Sequence, residues 1–372
     1  MTRTRNFACV VGARPNFMKM APLLQALDRC GKASYWLIHT GQHYDKALSS
    51  VFFEQLEMRK PDVSLEVGSG TQAGQTARIL ERIEPILLSG DRDGRPFDAL
   101  VVVGDVNSTM AAAIAAAKLQ IPVAHVEAGL RSFDRTMPEE INRLITDSIS
   151  DQLLVSEPAG VENLRREGHP EDRIHLVGNL MIDTLKRLLP QARSTSVLAD
   201  AGLAPGAYGV VTLHRPSNVD DRATLSAILE VLSDVSARLP LAFPIHPRTA
   251  GRIEEFGLRP LLDRGKGIVI MPPLGYLEFL ALTSSAKVIV TDSGGLQEES
   301  TALSVPCLTM RQNTERPCTV SDGSSTLVGS DAAQLHLQIT NVLEGRYDVG
   351  RCPELWDGNA AERIVDVLMN GR

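Results

Sequence analysis

Thr291-Asp292-Ser293-Gly294-Gly295-Leu296-Gln297-Glu298-Glu299-Ser300 follows directly on the apolar run Ala286-Lys287-Val288-Ile289-Val290. Such a run, giving way to small residues and then to helix formers, reads as a buried strand, a tight turn and a helix. A helix that begins just after two glycines presents unpaired N–H groups and the positive end of its dipole, with no side chain in front of them. That geometry holds phosphate. Glu299 stands about one to two turns into the helix, where it can accept hydrogen bonds from ribose hydroxyls. A Ser-Gly-Gly corner also serves as an ordinary strand-to-helix turn in α/β proteins, so the rest of the chain decides.

Outward from this stretch the order strand, polar cluster, helix recurs in both directions. Pro306 to Met310 leads into Arg311-Gln312-Asn313-Thr314-Glu315-Arg316-Pro317, and Gly209-Val210-Val211-Thr212-Leu213 ends at His214-Arg215-Pro216. In the first half, Phe7 to Val11 runs into Gly12-Ala13-Arg14-Pro15-Asn16 and an apolar helix pattern that carries Lys19. Leu100-Val101-Val102-Val103 ends at Gly104-Asp105, and Pro122 to Val126 ends at Glu127. Repeated β-α units of this kind predict an α/β fold of two doubly wound Rossmann-like domains with an interdomain cleft, ligands binding beyond the carboxyl ends of the strands. The mixture of Pro, Ser, Ala and Gly over 190–207 marks a linker. The expected division is 1–188, 189–358, and a final helix in 359–372 returning to the first domain.

A chain of 372 residues suits two domains of ordinary size. Hydrophobic content of 43% and charged content of 22% are those of a globular protein, and no apolar run approaches membrane-spanning length. The net charge of −7 offers no broad basic field to nucleic acid or anionic lipid. Five scattered cysteines with no C-x-x-C pair, and no signal-peptide pattern, point to reduced thiols in the cytoplasm. His39 and His43 have the spacing of a helical metal pair, but the strand before them and Gly41 between them break the helix such a pair needs. Gly68-Ser69-Gly70-Thr71-Gln72-Ala73-Gly74-Gln75 approaches a dinucleotide fingerprint. Its third glycine falls one residue late, however, and it is not the first βα turn. Neither a metal nor a nicotinamide cofactor is expected.

The strand ends in the second half thus supply a phosphate-binding helix mouth, Arg316 and His214, and those in the first half supply Arg14, Lys19 and carboxylates. In Pro138-Glu139-Glu140, proline at a first helical turn is followed by glutamates that suit the positive end of the dipole. Carboxylates set against a sugar move protons, and cationic groups near a diphosphate stabilise it as a leaving group. This chemistry fits glycosyl transfer, nucleotide-sugar hydrolysis, or elimination and readdition of the nucleotide.

Taken together, Gly12 to Pro22, Thr40-Gly41-Gln42-His43, Gly104 to Thr109, His125 to Arg131, Pro138 to Arg143, Thr291 to Glu299 and Thr314-Glu315-Arg316-Pro317 resemble the non-hydrolysing UDP-N-acetylglucosamine 2-epimerases, in order and over nearly the whole chain. The resemblance implies a glycosyltransferase-B-like fold, a homodimer, and interconversion of UDP-N-acetylglucosamine and UDP-N-acetylmannosamine without NAD or metal. It further implies a mechanism in which the C2 proton and UDP are lost to give a 2-acetamidoglucal, and UDP is then added back with the proton on the opposite face. Asp105, Glu127 and Glu139 match the family's proton-transfer carboxylates, and His214 its histidine near the diphosphate. Arg14, Lys19, Ser293, Gly294, Gly295, Glu299 and Arg316 match nucleotide-binding positions, with Phe279 at the uracil pocket. Gln42, His43, Gln72 and Gln75 resemble positions that bind a second UDP-N-acetylglucosamine as an activator in some bacterial members. The loop from Arg131 to Pro138 is shorter than in many members, so Glu140 stands beside Glu139 as an alternative acid. Leu274 replaces a uracil-binding glutamine of some members. The rival readings are a hydrolysing relative that releases N-acetylmannosamine, an epimerase of a modified UDP-2-acetamido sugar, a glycosyltransferase, and a non-catalytic UDP-sugar sensor.

Overall fold

The computed structural model describes residues 4–41 and 55–371, with the side chain of Arg14 left aside. The chain forms two compact units, Met1–Thr184 with Glu354–Arg372, and Leu185–Pro353. The first contains β1 (Arg5–Val11), α1 (Arg14–Cys30), β2 (Ala33–His39), β3 (Val63–Ser64), α2 (Gln72–Ser89), β4 (Ala99–Val103), α3 (Asn107–Lys118), β5 (Val123–Val126), α4 (Pro138–Ile149), β6 (Gln152–Val155), α5 (Pro158–Arg166) and β7 (Ile174–Leu176). Helix α6 (Leu180–Ala192) leads into the second unit. There follow α7 (Val197–Asp200), β8 (Gly209–Thr212), α8 (Pro216–Val219), α9 (Arg222–Ser236), β9 (Leu241–Pro244), α10 (Pro247–Glu255), α11 (Arg259–Arg264), β10 (Ile268–Met271), α12 (Tyr276–Ser284), β11 (Val288–Thr291), α13 (Gly294–Leu303), β12 (Cys307–Thr309), α14 (Cys318–Ser321), β13 (Ser325–Leu327) and α15 (Ala332–Leu343). Helix α16 (Ala360–Asn370) closes the first unit.

Among the described residues every strand pairing is parallel, in the orders β3-β2-β1-β4-β5-β6-β7 and β10-β9-β8-β11-β12-β13. These are the doubly wound α/β sheets expected. Helices on both faces explain why central strands read as continuous β-branched runs rather than alternating ones. Successive residues of β8, β11 and β12 point to opposite faces, so Val211, Val290 and Leu308 join one core and Val210, Ile289 and Cys307 the other. In the first unit, Ala111, Ala112, Ala115 and Ala116 bury a small-residue face of α3.

The structure departs from the sequence expectation at two elements. Val63-Ser64-Leu65-Glu66-Val67 alternates like a strand, but regular pairing stops after Ser64 because Glu66 takes a left-handed φ of 49°, although Leu65 and Val67 N–H still donate to the His39 and Thr40 carbonyls. The stretch 190–207 is not an open linker: it holds the end of α6 and all of α7, and Ala192 and Val197 are buried.

Helix α16 packs on α1 with Ile364 and Leu368 buried, and Arg5 Nη1 donates to the carbonyls of Leu368 at 2.7 Å and Gly371 at 2.6 Å. Its first turn is capped from α6, where Asp183 accepts the N–H groups of Ala360 at 3.1 Å and Ala361 at 2.7 Å. Burial pushes the Asp183 carboxyl up to about 6 from 3.8, against the two N–H groups, which pull it down. A carboxyl raised in the fold costs stability once ionised, so its contribution is fully present below about pH 4 and is lost as pH rises through about 6. Measured by urea unfolding, wild type should gain on Asp183→Asn as pH falls from 7 to 4, by on the order of 1–3 kcal/mol.

Candidate active site

Each sheet has one place where the chain leaves adjacent strands in opposite directions, between β1 and β4 in the first unit and between β8 and β11 in the second. Open α/β sheets bind ligands beyond the carboxyl ends of the strands at such a point. The residues that follow these four strands are Gly12 to Lys19, Gly104 and Asp105, His214 and Arg215, and Asp292 to Gly294. Both switch points therefore carry residues singled out from sequence.

In the first unit Asn16 ties the loop after β1 to β4. Its Oδ1 accepts from Gly12 and Ala13 N–H, and its Nδ2 donates to the Val103 carbonyl at 2.9 Å. Lys19, one turn further on, donates from Nζ to Glu127 Oε2, with both side chains buried. Glu127 adopts φ +70°, a left-handed conformation that a side chain of its size rarely takes. Gly104 packs against this pair: a Cβ there would lie 3.5 Å from Glu127 Oε2 and 3.7 Å from Lys19 Nζ. Asp105 and Glu127 thus follow the ends of the paired neighbouring strands β4 and β5.

The two strand ends are also bridged from beneath by His125, whose Nε2 lies 2.9 Å from the Gly104 carbonyl and whose Nδ1 lies 2.6 Å from Asp147. Full burial alone would push Asp147 up, but His125 and Arg131 outweigh it and hold the carboxyl below the usual carboxylate range. Asp147 Oδ2 accepts from Gly129 N–H at 3.0 Å, which fixes the turn after Glu127.

Asp105 is half-buried and its Oδ2 accepts from Arg143 Nη2 at 2.6 Å and Nε at 3.0 Å. Glu139 is half-buried on the first turn of α4, while Glu140 is buried and engaged on both oxygens. Oε2 of Glu140 accepts from Ser132 N–H, Ser132 Oγ and Arg143 Nη1, and Oε1 from Phe133 N–H. Burial would raise the Glu140 carboxyl, but the Ser132 N–H, Arg143 and the Ser132 hydroxyl together hold it low. These bonds make Glu140 an anchor of the loop before α4.

Exposed Gln72 and buried Gln75 meet on one hub, where Asn107 Nδ2 donates to Gln72 Oε1 at 2.6 Å and Gln75 Oε1 at 2.8 Å. Gln75 is buried and its Nε2 donates to the Gly68 carbonyl. Gln42 and His43 lie outside the described residues, as does the side chain of Arg14. The glycine-rich loop before α2 is closed by Arg78, which donates to the Val67 and Ser69 carbonyls. It follows β3, two strands from β1 in the sheet order.

In the second unit α13 starts at Gly294 with Ser293 as its N-cap, and Ser293 makes no side-chain capping bond. The first N–H groups of the helix thus keep their hydrogen-bonding capacity for an anion. A Cβ at Gly295 would meet nothing within 4 Å, and one at Gly294 would lie 3.2 Å from Arg311 Nη1, so a guanidinium stands at the helix mouth. Glu299 is buried and accepts from the Tyr276 hydroxyl at 3.0 Å. Arg316 Nε lies 2.7 Å from Glu298, and Phe279 on α12 is half-buried against the core that includes Leu296.

Asp292 organises this corner. Fully buried, it accepts the N–H groups of His214 at 2.9 Å and Arg215 at 2.8 Å and the Asn218 amide at 3.1 Å, and its Oδ1 lies 2.7 Å from His214 Nδ1. Burial would raise its carboxyl, and contact with His214, helped by the two N–H groups, holds it below the usual range. The His214 side chain remains 41% exposed, with its ring 5.5 Å from that of His246.

Asp292, Arg311, Asn142 and Arg143 were missed as site residues by sequence reasoning, although all four lie in motifs it quoted. An aspartate closing a buried strand just before a small-residue turn was the available signal for Asp292. For Arg143 it was an arginine three residues after a glutamate on one helix face.

A family model described as UDP-N-acetylglucosamine 2-epimerase matches residues 25–369. The UDP-N-acetylglucosamine 2-epimerase of Methanocaldococcus jannaschii is 42% identical over 368 residues, covering 98% of both chains. Its crystal structure in complex with UDP-GlcNAc and UDP superposes with a TM-score of 0.85, covering 98% of this chain and all of that one. The UDP-2,3-diacetamido-2,3-dideoxy-D-glucuronate 2-epimerase of Pseudomonas aeruginosa is 40% identical over 368 residues, covering 96% of this chain and 98% of its own. The polar groups at the two switch points are thus those of a chain that belongs to the UDP-N-acetylglucosamine 2-epimerase family.

Proposed function

We propose that this protein interconverts UDP-N-acetylglucosamine and UDP-N-acetylmannosamine without hydrolysis. The observation that carries the reading is the pair of equipped switch points: an uncapped helix mouth with a guanidinium beside it in one unit, and adjacent carboxylates, each paired with a cation, in the other. The helix N-terminus takes the diphosphate, with His214 at its side. Asp105, Glu127 and Glu139 move the proton at C2.

The C2 hydrogen of a hexose is not acidic, since no carbonyl lies next to it. Its removal becomes feasible when the electron pair left at C2 forms the C1–C2 double bond while the C1–O bond to UDP breaks. The base ends protonated, UDP leaves with the bonding pair, and 2-acetamidoglucal remains. Readdition returns a UDP oxygen to C1 and delivers a proton to C2 from the opposite face, so two proton-transfer groups are needed. His214, its Nδ1 held against Asp292, presents the other ring nitrogen to the departing phosphate.

The reading extends to a homodimer, from the family resemblance. It assigns Gln75 to the internal amide hub rather than to an activator, because that side chain is buried with both ends engaged. The relative that acts on a diacetamido uronate supports a second reading, epimerisation of a modified UDP-2-acetamido sugar.

Incubated with UDP-N-acetylglucosamine in heavy water, the protein should incorporate deuterium at C2 and yield UDP-N-acetylmannosamine by proton NMR. Free N-acetylmannosamine plus UDP would mean hydrolysis instead, and turnover only of the diacetamido uronate would favour the second reading. Asp105→Asn and Glu127→Gln should each cut turnover about a hundredfold or more while UDP binding stays within about tenfold.

Asp292→Asn should cost about 1–3 kcal/mol of unfolding free energy at neutral pH, because buried N–H donors then face an amide. A carboxyl depressed in the fold stabilises it above its unfolded value of 3.8 and stops doing so as pH falls through its folded value. The deficit of the variant should therefore narrow below about pH 4 in urea titrations.

A further inference from the structure

Helix α4 grips Asp105 at two points from adjacent residues. Asn142 Nδ2 donates to the Asp105 carbonyl at 2.8 Å, and the Arg143 guanidinium places both Nη2 and Nε on Asp105 Oδ2. The third edge of the same guanidinium is held by Glu140 Oε2 through Nη1 at 2.7 Å, and Glu140 is itself fastened to the backbone of Ser132 and Phe133. Arg143 is only 6% exposed. A planar fork bracketed by two carboxylates has one orientation open to it, unlike the single-point donor of a lysine.

With Oδ2 taking two N–H bonds, Oδ1 is the Asp105 oxygen left for a reacting proton. We propose that Arg143, locked by Glu140, is a positioning residue that aims the Asp105 carboxylate at the substrate. The proposal rests on the reading of Asp105 as a proton-transfer group. Arg143 touches no substrate in this account and acts through Asp105 alone. A reacting group displaced by about 1 Å loses on the order of a hundredfold in rate, so the effect belongs in kcat.

The test compares Arg143→Met, Arg143→Lys, Asp105→Asn and the double variant Asp105→Asn with Arg143→Met, by steady-state kinetics and C2 deuterium exchange. Arg143→Met should lower kcat and C2 exchange together by about ten- to a hundredfold, with KM and UDP affinity within about threefold. Arg143→Lys should fall between Arg143→Met and wild type, and it serves as the readout should Arg143→Met not fold. The double variant should be no slower than Asp105→Asn alone, since a residue acting only through Asp105 has nothing left to aim. A kcat within threefold of wild type in Arg143→Met, or multiplicative losses in the double variant, would overturn the proposal. Absence of C2 exchange in the wild type would sink the functional reading instead. In that case a crystal structure of Arg143→Met or Arg143→Lys decides the positioning: a turned Asp105 carboxylate supports it, and an unmoved one overturns it.

Discussion

The organisation of this protein follows from a single topological constraint, which is that a right-handed crossover can add parallel strands to only one side of a starting strand at a time. A sheet that grows to both sides must reverse once. At that reversal the loops after two neighbouring strands diverge and leave their backbone groups exposed at a shared edge. In this chain the reversals fall between β1 and β4 and between β8 and β11. Gly104-Asp105 and Asp292-Ser293-Gly294 begin where those strands stop.

Placing acids at such an edge is costly unless each has a partner, since an isolated buried carboxylate is strongly disfavoured. The structure resolves this locally. Lys19 meets Glu127, Arg143 meets Asp105 and Glu140, and His125 with Arg131 meets Asp147. Each of these carboxylates thereby has a cationic or imidazole partner in a chain whose overall balance is −7. The same pairs that make the carboxylates tolerable also set their orientation.

The features legible in sequence were those carried by neighbours along the chain. The runs Leu100 to Val103 and Val288 to Val290 declared buried parallel strands because both faces are covered. The Ser-Gly-Gly corner declared a helix start. Features that depend on partners distant in sequence were not legible: Asp292 meets His214 across 78 positions, and Arg143 meets Asp105 across 38. Nothing in Pro138-Glu139-Glu140 distinguishes two adjacent glutamates. Their separation comes from the helix, which turns Glu140 into the protein and leaves Glu139 half-buried.

Glu127 has a consequence for how this chain can evolve. Its positive φ is a backbone state in which glycine would sit at no steric penalty, whereas a branched or long side chain costs roughly 1–2 kcal/mol. Glycine there would relieve that strain but leave the buried Lys19 ammonium without its Glu127 partner, which costs about 3–5 kcal/mol and outweighs the gain. The strained backbone at Glu127 is thus held in place by an ion pair that glycine could not make.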